Sequence, residues 1–144
     1  MVDEGADIAR EVRVTRDEEA DWLAKLLADV EKGKMIFVVA EVGGKFMGSS
    51  EVSWKSGVMR HVGELGIGLA AGARDMGIGT ELMDTMIEES RKAGLKLLVL
   101  HVFASNNRAR HVYEKAGFKE TGRIPMRFYR NGSYIDDIVM CMIL

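Results

Sequence analysis

Hydrophobic positions change their period several times along the chain, and each change marks an element. Over "VTRDEEADWLAKLLADVEKGK" the apolar residues Trp22, Leu23, Leu26, Leu27 and Val30 fall on one stripe, which predicts a helix. Thr15 and Glu18 have capping-box spacing at its start, and Gly33 is placed to end it. "MIFVVAEV", residues 35–42, is rich in β-branched residues and, with Gly43-Gly44 and "KFMGSSEVSW", predicts a hairpin. "HVGELGIGL", 61–69, predicts a further strand. The helical period returns from about Ile78 to Ala93, where Ile78, Leu82, Met83, Met86 and Ile87 face inward and Glu81, Asp84, Glu88 and Glu89 face out. Gly94 stops that helix. "LKLLVLHVF", 95–103, is apolar at both parities, as a central strand covered on both faces would be. A shorter helix follows in "NNRARHVYEKAGF", with Ala109, Val112, Tyr113 and Ala116 on one face. The chain closes with a hairpin, "RFYR" and "YIDDIVMCMIL" joined by Asn131-Gly132.

This order predicts an α+β fold: a mixed, mostly antiparallel central sheet with helices on both faces. At 144 residues the chain suits one domain over 1–144, with a core over 35–144 and a reduced segment over 1–34. Twenty Lys and Arg against 22 Asp and Glu give a net charge of −2, which leaves no basic excess for nucleic acid. The one cysteine, Cys141, rules out an internal disulfide, and no thiol or histidine spacing suggests a metal site. No apolar run approaches a membrane span and the N-terminus lacks a signal-peptide pattern, so the expected location is the cytoplasm. The ten methionines sit mostly in apolar stripes and read as core filler.

Two glycine patterns compete as ligand sites. Gly66-Ile67-Gly68-Leu69-Ala70-Ala71 has dinucleotide-fingerprint spacing, but both glycines lie inside a strand and no helix begins before about residue 78, so it is rejected. "GARDMGIGTELM", 72–83, lies directly before a helix, whose unpaired first-turn N–H groups and aligned dipoles favour an anion. Glycines there let backbone approach a phosphate, and Arg74 could add a charge-assisted bond. A loop that merely turns the chain explains this stretch alone about equally well.

With two blocks taken together, the chain resembles the GNAT superfamily of N-acetyltransferases. The superfamily's pyrophosphate motif [RQ]-x-x-G-x-[GA] stands here as Arg74-x-x-Gly77-x-Gly79. Its block N-x-x-A-x-x-x-Y with a following G-F stands as Asn106, Ala109, Tyr113 and Gly117-Phe118. The resemblance implies acetyl-coenzyme A as co-substrate, its diphosphate held by backbone amides of Asp75, Met76, Gly77, Ile78, Gly79 and Thr80 beside Arg74. It further implies that the pantetheine arm pairs with the backbone at Ile67 and Leu69, where a Leu69 N–H polarises the thioester carbonyl.

For catalysis the resemblance assigns Tyr113 as general acid, against the alternative of a packed aromatic. Asn106 reads as a helix N-cap, to which the resemblance adds a contact with the cofactor arm. Several members carry glutamate as base in L-E-V, where this chain has Leu100-His101-Val102. A free histidine titrates at about 6.5 and so can serve as a base near neutral pH, which makes His101 the expected base, Glu64 its rival, and a buried structural histidine the plain alternative. The expected function is acetyl transfer to a primary amine by direct attack in a ternary complex, the acceptor being a small-molecule amine, a protein N-terminus or a lysine. The alternative is a module that binds acetyl-coenzyme A without turnover. Members usually begin with a strand and two helices, so the first strand and helix are expected to be reduced or missing here, with "EVRVT", 11–15, as a short remnant. An uncovered sheet edge would then favour a homodimer.

Overall fold

The computed structural model describes residues 33–74 and 76–144. The helix expected over 15–33 and the remnant strand at 11–15 fall outside them, apart from Gly33. The described elements are β1 (Met35–Val42), β2 (Lys45–Trp54), β3 (Val62–Leu69), α1 (Ile78–Lys92), β4 (Leu97–Phe103), α2 (Asn107–Ala116), β5 (Lys119–Arg130) and β6 (Ser133–Ile143). Single 3-10 turns at Gly57–Met59 and Ala71–Ala73 flank β3. Leu95 and Lys96, expected within β4, instead make the turn into it: their N–H groups donate to Ser90 O and His61 O.

The described strands form one six-stranded sheet, in the order β1-β2-β3-β4-β6-β5. Four of its five pairings are antiparallel and β3–β4 alone is parallel. That parallel step follows from α1, which crosses over between the two strands. Asn131 and Gly132, with φ of 51° and 78°, form the left-handed pair that a two-residue hairpin turn requires.

Strand alternation sorts the sheet into two faces. Val52, Leu65, Leu98, Leu100, Val102, Ile138 and Met140 share one face and form the core with Met83, Met86 and Ile87 of α1 and Tyr113 of α2. Both described helices therefore lie on the same side. The opposite face carries Glu51, Glu64, His101 and Asp137, each one residue out of step with a core position.

Candidate active site

The sheet forks at its centre. β3 and β4 are paired only from Val62 with Leu97 to Leu65 with Leu100. Beyond that point β3 stays on β2 as far as Leu69, while β4 stays on β6 as far as Phe103. A gap opens between 66–69 and 101–103. Ala70 N–H donates to Met47 O at 2.9 Å, so the alternation of an antiparallel ladder turns Ile67 and Leu69 N–H and C=O away from β2, into the gap. Such a strand edge offers main-chain hydrogen bonds to an extended ligand.

α1 begins at the open end of β3. Gly77 precedes it with φ of 76°, a left-handed conformation that glycine adopts without strain, and among the described residues no side chain caps the helix. The first helical bond runs from Glu81 N–H to Gly77 O at 3.1 Å, so the amides of Ile78, Gly79 and Thr80 have no acceptor within the helix. Gly79 lies against β3: a Cβ there would meet Leu69 Cδ1 at 3.4 Å. Ile78 is buried beneath with Met47, Ala73 and Leu82, whereas Met76 is exposed. Arg74 is half-buried and engaged in a contact of its own. Asp75 lies outside the described residues.

On the face opposite the helices, four titratable side chains come from four neighbouring strands, β2, β3, β4 and β6. Glu51 of β2 lies over Gly66, close enough that a Cβ on Gly66 would be 2.7 Å from Glu51 Oε1. Burial raises the Glu51 carboxyl above its ordinary range. Glu64 of β3 places Oε1 3.9 Å from His101 Nε2, and the other ring nitrogen, Nδ1, lies 2.7 Å from Asp137 Oδ2. The His101 side chain is 35% exposed and Asp137 has no exposure at all, so the ring bridges solvent and interior. Arg127 Nη1 donates to the same Oδ2 at 2.6 Å. His101 is thus neither a core histidine nor isolated.

Tyr113 stands on the other face, within the helix-side core and 6.4 Å from Phe118 between ring centroids. Burial holds its hydroxyl well above the usual phenol range. Asn106 caps α2, its Oδ1 accepting from Ala109 N–H at 3.1 Å. Of the expected residues, His101 and Glu64 come together on one face of the sheet, while Tyr113 lies in the core on the other and Asn106 at the start of α2. Sequence reasoning missed Asp137, Arg127 and Glu51; the one available signal was a pair of carboxylates, Asp136-Asp137, inside the apolar run "YIDDIVMCMIL". Among the described residues no group of His, Cys, Asp and Glu is arranged to hold a metal ion.

A forked mixed sheet beside a glycine-led, uncapped helix defines an α+β protein shaped for an extended ligand with an anionic end. The sequence profile of the acetyltransferase (GNAT) family matches residues 4–118, reaching well ahead of the stretch on which the two motifs lie. The probable N-acetyltransferase camello of Xenopus tropicalis is 30% identical over 105 residues, covering 69% of this chain and 48% of that protein. The chain spans about half or less of the length of the curated relatives it matches. Among solved structures, ribosomal-protein-alanine N-acetyltransferase from Brucella melitensis superposes with a TM-score of 0.83 at 27% identity, over 96% of this chain and 84% of that one. The putative acetyltransferase yncA of Salmonella typhimurium, solved with acetyl-CoA, gives 0.82 at 22% identity over 95% and 78%. This chain belongs to the acetyltransferase (GNAT) family.

Proposed function

We propose that the protein transfers an acetyl group from acetyl-coenzyme A to a primary amine by direct attack in a ternary complex. The observation that carries this is the fork: unpaired main chain at Ile67 and Leu69 runs directly to the uncapped start of α1. The residues present fit the co-substrate, whose amide-bearing arm matches the first feature and whose diphosphate matches the second. Acetyl-coenzyme A supplies the activated acyl group.

The chain's own residues supply the rest. Amides over 75–80, with Arg74, bind the diphosphate. Ile67 and Leu69 hydrogen-bond the arm, and the Leu69 N–H polarises the thioester carbonyl where negative charge develops. Asn106 adds a contact to the arm. His101 Nε2, with Glu64 beside it, accepts a proton from the acceptor ammonium, and the neutral amine attacks as the C–S bond breaks. Of the two protons the ammonium loses, one reaches solvent through His101. The other is matched by the proton that Tyr113 gives the departing thiolate and then regains. Placing base and acid on opposite faces lets acceptor and co-substrate meet through the gap.

Similarity to a ribosomal-protein-alanine N-acetyltransferase keeps a protein N-terminus among the acceptors beside lysine and small amines. In the described sheet β1 and β5 are edges, which a second copy of the chain would cover; sedimentation at micromolar concentration tests that homodimer. No described helix is long and apolar enough to cross a membrane, and the cytoplasm is part of the same proposal. The deciding experiment incubates the protein with acetyl-coenzyme A and a panel of amines and N-terminal peptides, and measures free thiol. Thiol release dependent on one acceptor class supports the proposal. Calorimetric binding of coenzyme A without release by any acceptor leaves a binding module instead, and no binding at all sinks both.

A further inference from the structure

We infer that Asp137 is a positioning residue: it fixes the His101 ring with its proton on Nδ1 and presents a bare Nε2 to the acceptor side of the fork. The geometry of the pair stands by itself; its catalytic consequence rests on the acetyltransferase reading above. An ionised carboxylate only accepts hydrogen bonds, and Oδ2 already accepts from Arg127, so the 2.7 Å contact requires Nδ1 to donate. A neutral ring with a proton on Nδ1 has its lone pair on Nε2, the nitrogen that faces Glu64.

The local fold is built around this contact. Opposite Asp137, β5 departs from regular register between Ile124 and Phe128. Met126 takes φ of 56° there, its N–H donating to Asp136 Oδ1 at 2.9 Å, and Arg123 pairs with Asp136 Oδ2 at 2.9 Å. Asp136 thereby fastens the bulge that turns Arg127 onto Asp137. Asp137 is fully buried and its Oδ1 has no partner among the described residues, so its hydrogen bonding there is concentrated on the oxygen that His101 and Arg127 share. A buried carboxylate is costly, and one held in this way orients an imidazole rather than merely filling the core. Among the described residues, the charged groups in contact with the ring are Asp137 from β6 and Glu64 from β3, with Arg127 from β5 acting through Asp137, and Glu51 from β2 lies over Gly66 on the same face of the sheet.

Opposite charges on the two partners give opposite outcomes. Asp137→Asn removes the negative charge and lets an amide N–H donate to Nδ1, which moves the ring proton to Nε2. The acid limb of kcat/KM for thiol release then shifts to lower pH, and kcat falls by about 100-fold while KM for acetyl-coenzyme A holds. Arg127→Gln leaves the whole carboxylate charge to the ring and shifts the same limb to higher pH. In a His101→Ala background, Asp137→Asn has less than about a two-fold further effect, as expected of two residues acting as a unit. Ring nitrogen-15 NMR of His101 in the substrate-free protein reports the tautomer directly. If Asp137→Asn fails to fold, the wild-type tautomer and the Arg127→Gln limb decide the matter.

A wild-type ring protonated on Nε2, an unmoved limb in both variants, or a full further loss in the His101→Ala background overturns the proposal. If the tautomer is as stated but no acceptor yields thiol, the acetyltransferase reading fails while the positioning contact stands. Thiol release with an unmoved limb has the reverse meaning.

Discussion

Gly63 and Leu98 are register partners in the parallel part of the sheet, with no room for a methyl group between them. A Cβ on Gly63 would lie 2.9 Å from Leu98 Cδ2, 2.7 Å from Val52 Cγ1 and 2.9 Å from Leu95 Cδ1. All three neighbours are buried aliphatic side chains that cannot swing into solvent. Gly63→Ala should therefore cost about 1–3 kcal/mol, the range for overpacking a filled core. Urea unfolding checks it. Adding Val52→Ala should not deepen the loss additively, because the two changes share one volume.

Gly77 is expected to matter for binding through its backbone rather than through crowding. A Cβ at Gly77 meets nothing within 4 Å, yet its φ of 76° is one that other residues adopt at a cost of about 1–2 kcal/mol. Gly77→Val adds β-branching to that strain and should rearrange the first turn of α1. Calorimetry should show coenzyme A binding weakened at least about ten-fold, as follows from losing about 1.4 kcal/mol of amide alignment. Gly79→Val acts differently, since its added atoms press on Leu69 at the end of β3.

How much of this was legible follows from how local each determinant is. The Asn131-Gly132 turn, the inward stripe of α1 and the two-parity apolar run of β4 depend on neighbours in sequence, and each appears where the pattern places it, except that β4 begins at Leu97 rather than Leu95. The rejected dinucleotide spacing at Gly66–Ala71 indeed lies within β3 and the 3-10 turn after it. The fork was implied only by family resemblance, because a break in pairing after Leu65 leaves no period of its own. Asp137 was illegible as His101's partner because 36 residues separate them and an irregular β5 supplies the third member. Glu51 was missed because an alternating strand with one glutamate reads as a solvated face, whereas here that carboxylate lies over a glycine.

Asn106 combines a structural duty with a proposed ligand contact, and two substitutions separate them. Asn106→Ala removes the acceptor for Ala109 N–H and should cost about 1 kcal/mol of stability. Asn106→Ser keeps a good cap and should restore most of it. If coenzyme A affinity stays low in the serine variant after stability has recovered, the side chain also touches the co-substrate; recovery of both would confine Asn106 to capping α2.

Glu51 should show its burial in the pH dependence of stability. Its carboxyl is raised above the ordinary value of 4.5, so the folded state holds the proton more tightly than the unfolded chain does. Its contribution is complete below pH 4.5 and is lost as pH rises through the folded value. Glu51→Gln should accordingly raise Tm at pH 7 relative to wild type and change it little at pH 3.5. Equal differences at the two pH values would mean that the charge is already solvated.

Tyr113 offers the sharpest separation of chemistry from structure. Its ring belongs to the core, but its hydroxyl makes no hydrogen bond among the described residues, so Tyr113→Phe should change neutral-pH stability by less than about 1 kcal/mol. Burial keeps the hydroxyl protonated well above its ordinary value of 10.0, so its proton is in place at neutral pH and it is excluded as the source of an alkaline limb below pH 10. The sign for stability follows: the unfolded chain gives up this proton first, so wild type loses stability as pH rises above 10.0. Tyr113→Phe should remove that part of the alkaline loss. In turnover it should lower kcat by about 100-fold and leave the Kd for coenzyme A unchanged. Wild-type kcat in the phenylalanine variant, with the alkaline loss still removed, would make Tyr113 a core aromatic and pass the thiolate's proton to water.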